Sequence, residues 1–168
     1  MGFQPSHGQR QGGPGRGPGG GGGQLSLPQS VQEFRRVMGE KASFSDDGVM
    51  KLAEQLGKDL AAGFQNKDKK QSGRTQVRKV YGEVRALQEK AKSGFNVIRP
   101  ELRLIQAHVA YAVGRDTLTP PFKEFADRSV ARLLEAGSKE ELAGFLKFFE
   151  ALYAHFYFHT SKVGEREG

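Results

Sequence analysis

Positively charged side chains are concentrated in one stretch of the chain, residues 67–99. This stretch holds ten Lys and Arg residues against three Asp and Glu residues. Its excess of seven positive charges equals the formal net charge of the whole 168-residue protein, which is +7 with His neutral. Such clustering is typical of a surface that binds phosphate groups, because scattered cations would only increase solubility.

Three of these cations recur at helical spacing, since Arg74, Arg78 and Arg85 are four and seven residues apart. They are therefore predicted to project from one side of a helix, where they can follow the phosphates of a nucleic-acid strand. Lys69 and Lys70 precede this helix and add long-range attraction. Contacts of this kind are made to the nucleic-acid backbone and do not distinguish base sequences. A solvated face and an acidic protein partner are the alternatives for the same surface.

The histidines do not form a metal-binding pattern. His155 and His159 lie four residues apart and share a helix face, but a metal site needs a third or fourth ligand of matching type. His108 supplies one only if two distant helices meet there. The chain has no cysteine, which excludes disulfides, thiolate zinc sites and cysteine nucleophiles. We therefore expect packing histidines, no metal and no cofactor.

An alternative interpretation starts from Arg103 and His108. Their R-x-x-x-x-H spacing on a predicted helix resembles the short signature of HEPN-type ribonucleases, in which the Arg and His of a dimer cleave RNA without metal. Leu104 stands where that family usually has a polar residue. No Walker A, H-E-x-x-H or G-x-S-x-G motif is present. The main interpretation therefore has no catalytic residues, and a metal-independent ribonuclease remains an alternative.

Helices must position these residues, because the apolar periodicity after residue 24 is helical throughout. We expect an all-α, compact helical bundle of about five to six helices over residues 25–168. The last predicted helix is apolar over more than half of its circumference, so it is expected to be the buried centre. The predicted limits are 28–38, 46–64, 75–92, 100–114, 120–137 and 139–158.

Local signals place the boundaries of these helices. Ser45 is a predicted N-cap, and Ser138 with Glu141 forms an S-x-x-E capping box. Residues 66–73 are predicted as a polar loop ahead of the third helix. Gly73 at its end would expose backbone N–H groups where the helix dipole favours an anion. The aromatic residues of the last helix are interpreted as core and not as base-stacking platforms.

Residues 1–24 differ from the rest in composition. They hold 11 of the 23 glycines and 3 of the 7 prolines. They bury too little apolar surface to offset their ordering entropy, so a disordered Gly/Pro-rich tail is expected. A solubilising linker is the favoured role, and RNA tethering through the Gly-Arg-Gly at 15–17 is the alternative. Without an 18-residue apolar run or a secretory signal, a soluble, cytoplasmic protein is expected.

Three further segments occur in a characteristic order. They are R-T-Q-V-R-K-V-Y at 74–81, A-Y-A-V-G-R-D at 110–116 and F-L-K-F-F-E-A-L at 145–152. Together they resemble the small subunit of the type III-A CRISPR–Csm effector complex, whose motifs are S/T-x-I/V-R-K-x-Y/L, A-Y-x-x-G-R and F-x-x-F/Y-x-E-A-L/I. The resemblance covers roughly residues 74–160. The ending A-H-F-Y-F-H at 154–159 lacks the lysine of the family's A-Y-H-K-F-Y-G.

The resemblance implies a non-enzymatic role. In that family, copies of the small subunit stack head to tail as a minor filament and contact crRNA and target RNA through basic surfaces. Cleavage and signalling then belong to other subunits. Arg78 and Lys79 match the family's R-K pair, and Arg74 precedes it. Arg115 matches the Arg of the G-R pair, whose role could equally be a salt bridge with Asp116 or another acid.

The sequence therefore predicts a non-catalytic, RNA-binding small subunit of a type III-A CRISPR interference complex in antiviral defence. The expected partners are crRNA, target RNA, other Csm subunits and further copies of the chain, with no membrane. A free-standing basic RNA-binding bundle and the HEPN-like ribonuclease are the alternatives. The predicted RNA-contacting residues are Lys69, Lys70, Arg74, Arg78, Lys79, Arg85 and Arg115.

Overall fold

The computed structural model describes residues 26–161, so the tail predicted for residues 1–24 lies outside the described residues. The described chain is all-α, with no strand between residues 26 and 161. This confirms the predicted class, because six long helices and one single turn stand where five to six helices were expected. The helices are α1 (Gln29–Gly39), α2 (Asp47–Met50), α3 (Leu52–Ala62), α4 (Lys67–Lys90), α5 (Arg99–Gly114), α6 (Pro120–Ala136) and α7 (Lys139–Thr160).

The helix predicted over 46–64 is split into α2 and α3, which is a correction to the sequence-based prediction. Ser45 does not cap it; Asp46 holds the N-cap position, without a side-chain capping bond. Ser45 instead lies against α7, so close that a Cβ added to Gly144 would come within 2.6 Å of the Ser45 Oγ. Ser45 therefore lies in the turn before α2, which begins at Asp47.

The last helix, α7, lies at the centre of the bundle, as predicted. It packs against α3, α4 and α6, and α1 and α5 pack in turn against α6. Phe148, Phe149 and Phe156 of α7 are completely or almost completely buried. Phe34 of α1 packs on Phe148 and on Phe125 of α6, with ring centroids 5.6 and 5.3 Å apart. Aromatic residues thus form the contacts between α1, α6 and α7 in the core, which supports their interpretation as packing residues.

The connection between α4 and α5 places these two helices side by side. The chain leaves α4 through two short 3₁₀ turns, Ala91–Ser93 and Phe95–Ile98. Arg99 then stacks on the Phe95 ring at 5.4 Å and donates a hydrogen bond to the Leu134 carbonyl at 3.1 Å. Arg99 belongs to the basic stretch of the sequence, but its guanidinium ties this turn to α6.

None of the helices in the described part of the chain has the length and apolar content needed to cross a bilayer.

Candidate nucleic-acid interface

The basic helix α4 starts earlier than predicted, because Asn66 caps it. The Asn66 Oδ1 accepts a hydrogen bond from the Lys69 N–H at 2.9 Å, which satisfies one of the unpaired donors of the first turn. The loop predicted over 66–73 is therefore wrong, and residues 67–73 form the first two turns of a 24-residue helix. Most of their side chains are exposed. They consequently lack the apolar periodicity from which a helix could be predicted.

Gly73 lies inside α4 and not at its start. It is buried against the ring of Phe64, and an added Cβ would come within 2.5 Å of Phe64 Cε1. The close approach of this ring, and not a helix boundary, is what the glycine permits. The prediction that backbone N–H groups at Gly73 would face an anion is therefore wrong, because helix now surrounds this position on both sides.

α4 buries one face and presents cations on another. Arg78 and Arg85 are exposed. The ion pairs of this region between described residues involve Lys69, Lys90 and Lys92, and none involves Arg78 or Arg85. Both guanidinium groups are therefore available to a phosphate. The residues of the buried face are Gly73, Val77, Val80, Val84 and Leu87.

Arg74 shares the side of α4 that carries Arg78, but it is engaged with α7. Its Nη1 donates a hydrogen bond to the carbonyl of Thr160, and its guanidinium lies 5.6 Å from the centre of the Tyr157 ring. Arg74 is only partly exposed. It therefore joins α4 to the C-terminal turn of α7 and has fewer donors left for an RNA phosphate than Arg78 has.

A row of tyrosines continues along the junction of α4 and α7. Tyr81 of α4 stacks on Tyr153 of α7 with ring centroids 6.0 Å apart, and Tyr153 contacts Tyr157 edge to face at 6.3 Å. Tyr157 and its neighbour Phe158 are exposed. The base-stacking alternative for α7 is thus restricted to its last turns, because the preceding phenylalanines belong to the core.

The two lysines in the first turns of α4 differ from Arg78 in their surroundings. Lys69 forms an ion pair with Asp116, which follows α5, so its charge is partly neutralised. Lys70 is half-buried. Both lie at the end of α4 that is adjacent to the C-terminus of α5, and Lys69 joins the two helices there.

Lys79 and Arg115 are 36 positions apart in the chain but line the same cleft between α4 and α5. Arg115 donates a hydrogen bond to the Tyr111 hydroxyl at 3.3 Å and lies 5.6 Å from the centre of that ring. Asp116 pairs with Lys69 instead, so the Arg115–Asp116 salt bridge considered from the sequence is absent between these described residues. The structure thus brings together two predicted cations that belong to different motifs.

The remaining polar residues that line this cleft are Gln76, Glu83, His108, Tyr111 and Thr117. The sequence analysis considered His108 only for a metal site and a ribonuclease, and it did not predict that these side chains share one cleft with Lys79 and Arg115. The sequence does indicate that some of these residues share a helix face. Tyr111 and Arg115 follow His108 at intervals of three and four residues, which places all three on one face of α5. Only the packing of α5 against α4 shows that this face meets Glu83, whose Oε2 lies 2.8 Å from the His108 Nδ1.

Arg103 and His108, the basis of the ribonuclease alternative, point in different directions. Five residues along a helix correspond to about 140° of rotation about its axis. Arg103 donates a hydrogen bond to Gln106 at 3.2 Å, whereas His108 is bonded to Glu83. Within one chain these two side chains therefore do not converge on a common phosphate.

No group of three or more His, Asp or Glu side chains between residues 26 and 161 is arranged to hold a metal ion. His108 is bonded to Glu83, and the ring of His159 lies edge to face on Phe158 at 5.1 Å. His155 packs beside Gly57 of α3, where an added Cβ would lie 2.9 Å from its own Cβ. The three histidines thus have separate neighbours.

Shifted pKa values occur on other helices. A hydrogen bond from Arg36 lowers the pKa of Glu33, and the same arginine has its own pKa raised by Glu33 and Glu40. A hydrogen bond from Lys41 lowers the pKa of Glu135. These are surface ion pairs of α1 and α6, outside the basic surface of α4.

Comparison with known proteins identifies one family. The family model described as Csm2 Type III-A matches residues 47–162, which is more than two thirds of the chain. The match includes α2 and α3 as well as the three segments from which the resemblance was inferred. No curated protein and no solved structure matched the chain.

Proposed function

The chain belongs to the Csm2 family of type III-A small subunits, and on this basis we propose that it is a non-catalytic subunit that binds crRNA and target RNA through α4. Membership of this family makes the other subunits of the Csm complex its partners. Head-to-tail stacking of several copies, RNA contact and a cytoplasmic location are parts of the proposal.

The observation that carries the proposal is the pair of exposed arginines Arg78 and Arg85, which have no carboxylate partner among the described residues. They lie seven positions apart on α4, so they are separated by nearly two turns, or about 10 Å along the axis. A single strand that runs along α4 can therefore contact both arginines with different phosphates. Such contacts do not distinguish sequences, which suits a complex in which base pairing selects the target.

Head-to-tail stacking of several copies would increase the RNA affinity that these contacts provide. A single copy offers few unpaired arginines and should bind RNA weakly. When several copies are held in a row along one RNA, each additional contact becomes intramolecular and the total affinity rises without new kinds of contact. A free-standing RNA-binding bundle would instead bind RNA tightly as an isolated chain.

The experiment that tests RNA binding replaces Arg78 and Arg85 with Glu in the assembled complex. A matched control replaces Lys58 of α3 and Lys147 of α7 with Glu, because these exposed lysines lie on other helices and produce the same change in charge. We expect the α4 variant to bind RNA at least about tenfold more weakly, since hydrogen bonds to charged groups are lost. The control should bind like the wild type, and circular dichroism should show unchanged helicity in both.

Equal weakening in the two variants would mean that net charge, and not the α4 surface, governs binding. Unchanged affinity in the α4 variant would remove α4 from RNA recognition.

Assembly is tested separately by mild affinity purification of the tagged chain from its native cells, with mass spectrometry and RNA sequencing of what elutes. Csm subunits and crRNA-sized RNA should elute together with the chain. Elution of the chain alone, or with ribosomes, would contradict the assembly proposal and favour the free-standing RNA binder.

A further inference from the structure

The cleft between α4 and α5 is separate from the Arg78–Arg85 side of α4. Its volume is about 340 Å³, at the lower end of the range for pockets that hold small molecules. Lys79 lies about 100° around the helix from Arg78, which turns it toward α5. The cleft therefore has room for a small group such as one nucleotide, and the strand that follows Arg78 and Arg85 need not fill it.

One part of this cleft is cationic. Lys79 forms no ion pair within residues 26–161, although Glu83 lies one turn further along α4. Arg115 is oriented by its contacts with Tyr111, a residue that is 66% exposed. Asp116, the acidic residue next to Arg115, forms an ion pair with Lys69. Two cations from different helices thus line one cleft without a carboxylate partner among the described residues.

The same cleft contains a hydrogen-bond acceptor, the carboxylate of Glu83. A carboxylate only accepts, so the His108 Nδ1 at 2.8 Å from Oε2 donates to it and fixes its orientation. Oε1 of Glu83 has no hydrogen-bond partner among residues 26–161. It is consequently available to a donor on a ligand.

Two cations and one carboxylate in the same cleft favour a ligand that has both an anionic group and a hydrogen-bond donor. A simple anion would be attracted by Lys79 and Arg115 but repelled by Glu83. A ligand that carries a phosphate at one end and a hydroxyl donor at the other satisfies all three groups. A ribonucleotide has this arrangement, because its 2′-hydroxyl lies on the sugar that carries the phosphate.

We propose that the α4–α5 cleft binds one ribonucleotide of the RNA strand, with its phosphate on Lys79 and Arg115 and its 2′-hydroxyl donating to Glu83. The inference rests on the proposed function and adds a determinant of sugar recognition to it. Glu83 would then make the subunit prefer RNA over DNA, which the arginines of α4 cannot do because phosphates are common to both nucleic acids.

The test compares oligouridine with oligodeoxyuridine of equal length, which differ only in the 2′-hydroxyl. Fluorescence anisotropy at low salt measures both affinities for the full chain. We expect the wild type to prefer the ribose form about tenfold, as one hydrogen bond to a charged group implies. In Glu83→Ala, binding of the deoxy form should persist or rise, and the preference should fall to about one.

Glu89→Ala is the matched control, since Glu89 is a second carboxylate of α4 that pairs with Lys92 and does not line the cleft. It should leave the preference unchanged. An unchanged preference in Glu83→Ala, or the same loss in both variants, would overturn the inference.

The experiment distinguishes an error in the cleft inference from an error in the proposed function. If the wild type binds oligouridine and Arg78→Glu/Arg85→Glu weakens this binding, but Glu83→Ala leaves the preference intact, only the cleft inference is wrong. If the wild type binds neither oligonucleotide at low salt, even at protein concentrations high enough to detect the weak binding expected of a single copy, both the proposed RNA contact and the cleft inference are wrong.

Discussion

Glu141, in the first turn of α7, accepts a hydrogen bond from the backbone N–H of Phe44 at 2.7 Å, although the two residues are 97 positions apart. Its other carboxylate oxygen accepts a hydrogen bond from the Ser43 hydroxyl at 2.9 Å. Glu141 is only 9% exposed and Phe44 is completely buried. This carboxylate therefore joins the segment between α1 and α2 to the central helix, on which α4 also packs.

Glu141→Ala should destabilise the protein by about 1–3 kcal/mol, because it leaves the buried Phe44 N–H without an acceptor. Urea unfolding followed by circular dichroism measures this. Glu140→Ala is the control: both carboxylates lie in the first turn of α7 and interact with its dipole, but Glu140 is exposed. Equal losses in the two variants would show that the dipole, and not the bond to Phe44, is responsible.

Two glycines of α4 should respond in opposite ways to alanine. Gly82 has no atom within 4 Å of an added Cβ, so Gly82→Ala should stabilise the protein by about 0.5–1 kcal/mol through helix propensity. Gly73→Ala should destabilise it, because its Cβ would clash with the Phe64 ring. Calorimetric melting temperatures distinguish the two effects. An increase in both variants would mean that Phe64 moves aside at little cost.

Substitutions of Arg74 and Arg78 should affect the stability of the fold differently. Arg74→Gln loses the hydrogen bond to the Thr160 carbonyl and the contact with Tyr157, so we expect a loss of about 1–2 kcal/mol in the free energy of unfolding. Arg78→Gln removes an exposed side chain and should change it by less than about 0.5 kcal/mol. Chemical denaturation of both variants tests this difference, and equal stability would contradict the anchoring role of Arg74.

The salt dependence of RNA binding should identify which cations contact phosphate. Each phosphate contact on a single strand contributes about −0.7 to the slope of log affinity against log salt concentration. Arg85→Gln should therefore make the slope shallower by about 0.7. Lys92→Gln should change it little, because Lys92 pairs with Glu89 at 2.6 Å. A titration series in KCl measures both slopes, and no difference between them would exclude Arg85 from phosphate contact.

The ion pairs of α1 predict a pH effect at Glu33. Arg36 bonds to Glu33 at 2.6 Å and lowers the pKa of that carboxyl. A carboxyl whose pKa is lowered by folding favours the folded state above its unfolded pKa, and this contribution is lost as the pH falls through the folded value. Arg36→Gln should raise the pKa of Glu33 in an NMR titration. Glu135, which pairs with Lys41, should titrate as in the wild type.

Much of the helical framework could be predicted because its signals are local. The predicted helix ends at Gly114 and Gly137 agree with the structure, since a glycine or a proline acts within one turn of the residue itself. The capping bond between the Ser138 hydroxyl and the Glu141 N–H was predicted for the same reason. The reciprocal bond expected from Glu141 was not formed, because its carboxylate finds Phe44 instead.

The predictions are wrong where a tertiary contact decides the outcome. Ser45, predicted as a cap, lies against α7 at Gly144. Gly73, predicted as the end of a loop, lies within α4 and permits the close approach of Phe64 from the connection between α3 and α4. Neither contact leaves a periodic signal, because each depends on how the chain packs and not on the spacing of apolar residues within one helix.

The sequence alone determined the all-α class, the basic character of the helix around Arg78 and the family, since composition, apolar period and short motifs are properties of neighbouring residues. The tertiary structure decided which cations remain available. In the folded chain Arg74 donates a hydrogen bond to Thr160, and Lys69 pairs with Asp116. Arg85 stays exposed. Lys79 and Arg115 line one cleft. The physical reason is that the partner of a long charged side chain depends on which helix lies beside it, and only the packing of the bundle determines that.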